Sequence, residues 1–139
     1  MKLTLKKLTL INFKGVKRRS FEFNEKETFI HGKNGSGKTS LYDAYLWCLF
    51  GKDHNGKSDH ELKTYDGNGK TIPKQTCEVE IIFKTENGDV KLKRTYGENW
   101  VKPKTEPEEV FKGNYSEYYL NDLLVKKSEY DEHIHSLID

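Results

Sequence analysis

Residues 31–51 read HGKNGSGKTSLYDAYLWCLFG, with three glycines and two lysines directly ahead of a run that is apolar at almost every position. Residues 32–39 satisfy G-x-x-x-x-G-K-[ST], and they lie between a strand-like segment, ETFIH, and a helical one, the context in which that spacing cradles phosphate. Each position has a physical task. Gly32, Gly35 and Gly37 permit left-handed backbone angles and close approach, so successive N–H groups can turn inward around an anion. A helix beginning near Lys38 adds unpaired first-turn amides and the positive end of its dipole. The Lys38 ammonium is the candidate catalytic group, a mobile point charge for the β- and γ-phosphates, and the Thr39 hydroxyl is the candidate ligand for Mg²⁺. The expected nucleotide-binding set is Asn34, Gly35, Ser36, Gly37, Lys38, Thr39 and Ser40, with ATP and Mg²⁺ as cofactors.

In the helix itself, Leu41, Tyr42, Ala44, Tyr45, Leu46, Trp47, Cys48, Leu49 and Phe50 leave no broad polar face, and Asp43 is its only charge after Lys38. Such a helix is expected to be buried between layers. That burial would hold the phosphate-facing end in place without ligand, and Gly51 is placed to stop the helix as a left-handed cap.

Outward from this stretch the chain reads mostly as strands. In KLTLKKLTLIN the alternation slips at Lys6 and Lys7, with Leu3 and Leu5 at odd positions and Leu8 and Leu10 at even ones, so a bulge or break is expected there. RSFEFN alternates again through Phe21 and Phe23. In TCEVEIIFKTENGDVKLKRTYG, Asn87-Gly88 predicts a type I′ hairpin. Pairing Glu86 with Asp89 puts Phe83 opposite Leu92 and Ile81 opposite Arg94, and one face then carries Cys77, Val79, Ile81, Phe83, Leu92 and Tyr96. Arg94 falls on that apolar face, where an edge position with a snorkelling side chain is expected. ENWVKPKTEPEEVFKGN, with two of the three prolines, is expected to be mostly loop. Ser128 followed by Asp131 resembles a capping box and predicts a helix from about residue 129.

Composition sets outer bounds. The 139 residues form one expected domain, 1–139, long enough to bury about two thirds of the surface the unfolded chain exposes. Net charge is only +2, but residues 1–40 hold ten Lys/Arg against three Asp/Glu and residues 101–139 five against nine. A basic N-terminal third attracts phosphate-bearing partners. Cys48 and Cys77 read as small buried hydrophobes, in keeping with a reducing compartment. No leader pattern opens the chain and no apolar run nears the roughly 20 residues of a membrane span, so a cytoplasmic protein is expected, able to associate with the nucleoid and without membrane contact. His54, His60, His133 and His135 have no metal-ligand spacing.

LTLINFKG, then SFEF, then GKNGSGKTSLYDAYLWCLFGK resembles the N-terminal ATPase lobe of the SMC-like ABC ATPases, most of all the bacterial SbcC-type ATPases of double-strand-break repair. The resemblance is close over residues 1–51 and architectural over the later hairpin. It implies an α/β P-loop NTPase lobe of ABC-ATPase head type, with antiparallel strands beside a P-loop strand and buried helix. It also implies Mg-ATP binding in DNA repair or chromosome organisation, with a basic residue near the phosphates at Lys14. Implied partners are a second head lobe, a homodimeric partner, a nuclease and DNA. The chain holds no LSGGQ-like stretch and no apolar run ending in Asp-Glu, so the resemblance implies a fragment that binds nucleotide while hydrolysis awaits the second lobe and dimerisation. Two other readings stand beside it: a small P-loop kinase, which would need parallel strands after the helix, and an assembly module gated by nucleotide without turnover.

Overall fold

The computed structural model describes residues 3–13, 16–23, 38–52, 68 and 73–138. Six strands form one sheet in the order β2-β1-β3-β4-β5-β6, and every described pairing is antiparallel. β1 (Thr4–Phe13) and β2 (Val16–Glu22) make a hairpin. β3 (Cys77–Thr85), β4 (Gly88–Val101), β5 (Val110–Leu120) and β6 (Leu123–Val125) make a meander. Two helices, α1 (Lys38–Phe50) and α2 (Lys127–Ile138), join the strands in a single apolar core.

The phase slip in β1 is a bulge at the expected place. Leu5 pairs with Phe83 and Lys7 with Ile82, leaving Lys6 as the extra residue. The insertion moves the inward set from odd to even positions, so Leu8 and Leu10 join Leu5 against the core. The Lys6 carbonyl accepts from Phe23 N–H at 2.9 Å, and its ammonium meets Asp89 at 2.6 Å. Asn12, with φ of 51°, adds a second irregularity before Phe13, which is fully buried against Trp47 at a ring separation of 5.7 Å. Asparagine tolerates this left-handed region better than most residues.

The β3–β4 hairpin differs from the type I′ expectation. Thr85 pairs with Gly88 and Ile81 with Leu92, so the register is shifted by two residues. Only Gly88 takes a positive φ, at 112°, while Asn87 does not. The turn residues are Glu86 and Asn87. Thr85 stabilises this arrangement: its hydroxyl accepts from Asn87 N–H at 3.1 Å and donates to the Gly88 carbonyl at 2.7 Å. A two-residue shift preserves side-chain parity. Cys77, Val79, Ile81, Phe83 and Leu92 are accordingly buried together as expected, with Tyr96 partly buried beside them.

Three further expectations are corrected. The proline-containing segment is loop only between Val101 and Val110: Trp100 pairs with Phe111 across the extended β4–β5 arm, their rings 5.7 Å apart. α2 begins at Lys127, with Tyr130 N–H donating to the Lys126 carbonyl at 3.0 Å, so Ser128 lies within the first turn and does not cap it. α1 is not enclosed all round, and one strip of it stays exposed. Leu41, Ala44, Trp47, Cys48 and Leu49 are buried, but Tyr42 and Phe50 keep 56% and 50% of their surface exposed. The described sheet supplies one layer, so a helix apolar all round has one side left over.

The C-terminal end of α1 is fixed by groups from three other elements. Arg94 sits on β4, flanked by β3 and β5, and is not an edge residue. Its guanidinium lies 5.3 Å from the Trp47 ring centroid and 4.9 Å from that of Tyr118, and donates to the Trp47 carbonyl at 3.2 Å and the Tyr118 hydroxyl at 3.3 Å. Cation–π attraction and the partial negative charge of the helix C-terminus offset the cost of burying this cation. From α2, the Tyr130 hydroxyl donates to the Cys48 carbonyl at 2.7 Å. Gly51, with φ of 71°, closes the helix by donating its N–H to the Trp47 carbonyl at 2.9 Å. Burial pushes the Cys48 thiol up to about 12, against a lowering by its Tyr130 contact, and burial followed by Cys48 raises Tyr130 as well.

Two outcomes are expected. A Cβ at position 51 would stand 2.8 Å from Arg94 Nη1 and force a side chain into the left-handed region. Gly51→Ala should therefore lower unfolding free energy by about 1–3 kcal/mol in urea denaturation; an unchanged midpoint would contradict the packing. The second concerns alkaline pH. Between an unfolded thiol near 9.0 and the folded value of about 12, the unfolded chain releases a proton that the folded chain keeps. The stabilisation is complete below pH 9.0 and is lost as pH rises toward about 12, at up to about 1.4 kcal/mol per pH unit. Cys48→Ala should flatten the decline in urea-derived stability from about pH 9 to about pH 10, a window in which the tyrosines contribute equally to both proteins; parallel slopes for the two proteins would refute it.

Candidate nucleotide-binding site

α1 starts at Lys38, so Lys38, Thr39 and Ser40 form its first turn. The helix therefore begins at the last two residues of the G-x-x-x-x-G-K-[ST] stretch. Backbone N–H groups in a first helical turn have no intrahelical acceptor, and they face whatever precedes the helix. Thirteen helical residues span about 20 Å, enough for a full dipole with about half a positive charge at this end. No acidic residue occupies the first turn, so the positive end keeps its charge. Asp43 lies one turn further on and is 1% exposed.

Of the other expected site residues, Lys14, Asn34, Gly35, Ser36 and Gly37 lie outside the described residues, together with Gly32 and the predicted strand at 27–31. Lys14 falls in the chain between Phe13 and Val16, which pair across the β1–β2 hairpin. The structure thus joins three site residues, Lys38, Thr39 and Ser40, on one helical turn.

What sequence reasoning missed is the support at the other end. Arg94, Tyr118 and Tyr130 come from β4, β5 and α2 and meet at Trp47 and Cys48. One signal for it was present, an arginine on an otherwise apolar strand face. The arrangement places a cation at the C-terminal end of α1, so the helix that begins in the G-x-x-x-x-G-K-[ST] stretch has its tail held. Among the described residues, no group of three or more His, Cys, Asp or Glu side chains comes together as a metal site, and no helix is long and apolar enough to cross a membrane.

Comparisons with known proteins bear on this architecture. The AAA domain family matches residues 7–138. DNA replication and repair protein RecF of Azobacteroides pseudotrichonymphae is 37% identical over 59 residues, 42% of this chain and 16% of that protein. The SbcC component of the nuclease SbcCD of Staphylococcus haemolyticus is 35% identical over 96 residues, 66% of this chain and 9% of that protein. The DNA double-strand break repair Rad50 ATPase of Halobacterium salinarum is 34% identical over 88 residues, 63% of this chain and 9% of that protein. The matched chain thus spans 9% to 16% of these relatives.

Among solved structures, the recombination mediator protein RecF with ATP superposes with a TM-score of 0.65 at 20% identity, over 94% of this chain and 31% of that one. The SMC head domain from Thermotoga maritima gives a TM-score of 0.64 at 24% identity, over 94% of this chain and 41% of that one. At those identities the likeness is one of fold. With every described element but the first three residues of β1 inside the family match and the chain superposing on RecF and an SMC head, the chain belongs to the AAA domain family and has the fold of the N-terminal lobe of an SMC-like ABC ATPase.

Proposed function

We propose that the chain is the Mg-ATP-binding lobe of an ATPase acting in DNA double-strand-break repair or chromosome organisation, in the cytoplasm and at the nucleoid. The observation that carries this reading is the start of a buttressed helix at Lys38, inside the phosphate-binding signature. Magnitudes assign the roles. A helix terminus contributes about 0.3–2 kcal/mol to an anion, whereas micromolar affinity needs about 8 kcal/mol. Most of the binding must then come from the amides of Asn34, Gly35, Ser36 and Gly37, from the first-turn residues through Ser40, and from charge. Lys38 stabilises charge on the β- and γ-phosphates, and Lys14 adds a second cation.

The donor set at the helix start, a threonine hydroxyl with no first-turn carboxylate, suits a hard cation that keeps most of its waters and shares phosphate oxygens. Thr39 would hold Mg²⁺, which when bound supplies further neutralisation of phosphate charge.

Residues 1–139 act in this reading as one lobe of a head. The exposed Tyr42 and Phe50 offer an apolar surface for the second lobe, which supplies the signature and the acidic pair. Homodimeric engagement, a nuclease and DNA are the remaining partners, and turnover belongs to the assembled head. A small kinase is disfavoured because β3, the first described strand after α1, pairs antiparallel to both β1 and β4. A nucleotide-gated module without turnover differs from the proposal in one measurable respect, phosphate release by the assembled protein with and without DNA.

Lys38→Ala should abolish measurable ATP binding in titration calorimetry while leaving the urea unfolding midpoint unchanged. A nearly unaltered titration would defeat the assignment.

A further inference from the structure

One row of side chains crosses three strands on the face of the sheet turned away from α1. Glu78 of β3 pairs with Thr95 of β4, and Thr95 pairs with Glu117 of β5, so a threonine stands between two glutamates in register. Arg94, next to it on β4, meets Trp47 of α1, and strand alternation therefore sends Thr95 to the opposite face. Thr95 is nonetheless only 4% exposed, and its hydroxyl has no hydrogen-bond partner. From this row we infer a binding site for a hard divalent cation, held by the carboxylates of Glu78 and Glu117 and the Thr95 hydroxyl, with the sheet between it and the nucleotide-binding helix.

The buried hydroxyl is the observation that points to a ligand. A polar group shut off from water without a partner is costly, and a bound ion is one way in which that cost is met. Walls on both sides shut it off. The Tyr115 ring lies across Gly97, where a Cβ would stand 2.7 Å from the ring's Cζ and hydroxyl. On the other side the Lys93 ammonium lies 4.5 Å from the Tyr119 ring centroid, and the Tyr119 hydroxyl donates to Glu117 Oε2 at 3.3 Å. Glu117 is thus oriented by a tyrosine and keeps Oε1 for a ligand. Lys93 is held over an aromatic ring and forms no ion pair with a described acid, although Glu80 stands opposite it. The local cation therefore leaves the two carboxylates beside Thr95 uncompensated.

Every donor in the row is oxygen, the set that suits Ca²⁺ and similar hard cations rather than zinc or copper. Two carboxylates match the charge of a divalent ion, whereas one ammonium or guanidinium would leave a negative charge over. The glutamates stand two strand spacings apart, about 10 Å between Cα atoms, a gap that two side chains leaning inward close around one ion. These groups supply about three to five of the roughly six to eight oxygens that Ca²⁺ takes, and waters complete the shell. So few protein ligands place the site in the weak class, with a dissociation constant of about 10⁻⁴–10⁻³ M.

The test is a Ca²⁺ titration of the full chain without nucleotide, followed by backbone amide NMR shifts. Saturable shifts should centre on Glu78, Thr95 and Glu117. The variant carrying Glu78→Gln and Glu117→Gln should bind at least about tenfold more weakly, while one carrying Glu106→Gln and Glu108→Gln, which removes equal charge from the β4–β5 arm, should match the unaltered chain. Thr95→Val keeps the shape and deletes the hydroxyl. It should weaken Ca²⁺ binding, yet raise the urea unfolding midpoint in the absence of divalent ions, because the unpaired group is gone. No saturable shifts, or equal losses in the two glutamine variants, would overturn the assignment. So would a Thr95→Val midpoint that falls without Ca²⁺, since the hydroxyl would then already have a partner. Lys38→Ala should leave Ca²⁺ binding intact, and ATP titration of the Glu78→Gln, Glu117→Gln variant should be unchanged, so this site and the nucleotide assignment fail separately.

Discussion

The contact of Arg94 and Tyr130 with the last carbonyls of α1 is the constraint on which the rest of the lobe depends. Trp47 and Cys48 each place one carbonyl against a group donated from outside the helix. Because those groups come from β4 and α2, the helix is tied to both the sheet and the C-terminal helix at a single place. The tie is also electrostatic. A guanidinium beside the negative end of the dipole compensates that end, while the first turn at the opposite end carries no carboxylate. The sequence therefore builds one helix with a compensated tail and a first turn free of carboxylates, and it puts the G-x-x-x-x-G-K-[ST] stretch at that first turn.

How much of this was legible depends on the kind of signal. The helix after the glycine stretch and the stop at Gly51 were readable because each rests on local backbone chemistry, and α1 runs from Lys38 to Phe50 as expected. The bulge at Lys6 was readable because side-chain parity has a strict period of two. Parity also explains why the buried face of the β3–β4 hairpin came out right while its register did not: the two registers differ by two residues and share their faces. Asn-Gly alone could not distinguish a turn with two left-handed residues from one with Gly88 alone, because the deciding contact is the Thr85 hydroxyl.

Other features were illegible for tertiary reasons. Apolar residues all round α1 implied a buried helix, but how many sides are covered depends on neighbouring layers rather than on the helix. Arg94 was placed on the correct face and given the wrong surroundings, since its partners are two aromatic rings and a carbonyl that no sequence window brings together. In the segment 98–114, prolines and charges spoke for loop, yet Trp100 and Phe111 found each other across the arm and extended both strands. Of the residues expected to bind nucleotide, Lys38, Thr39 and Ser40 fall on a described helical turn. The rest is carried by the spacing of glycines.

The bulge in β1 has a bearing on how this lobe can change over time. The ion pair of Lys6 with Asp89 joins two side chains that are 53% and 45% exposed, so its contribution is at most about 1 kcal/mol. The chain thus has little invested in lysine at that position. It has a great deal invested in there being a residue at all, since without it Leu8 and Leu10 would turn toward solvent and the polar set between them toward Trp47 and Cys48. Natural variation at this point should be free in chemistry and closed to insertion or deletion. A change of one residue in the length of this strand would cost the core its inward face, which no substitution at Lys6 would do.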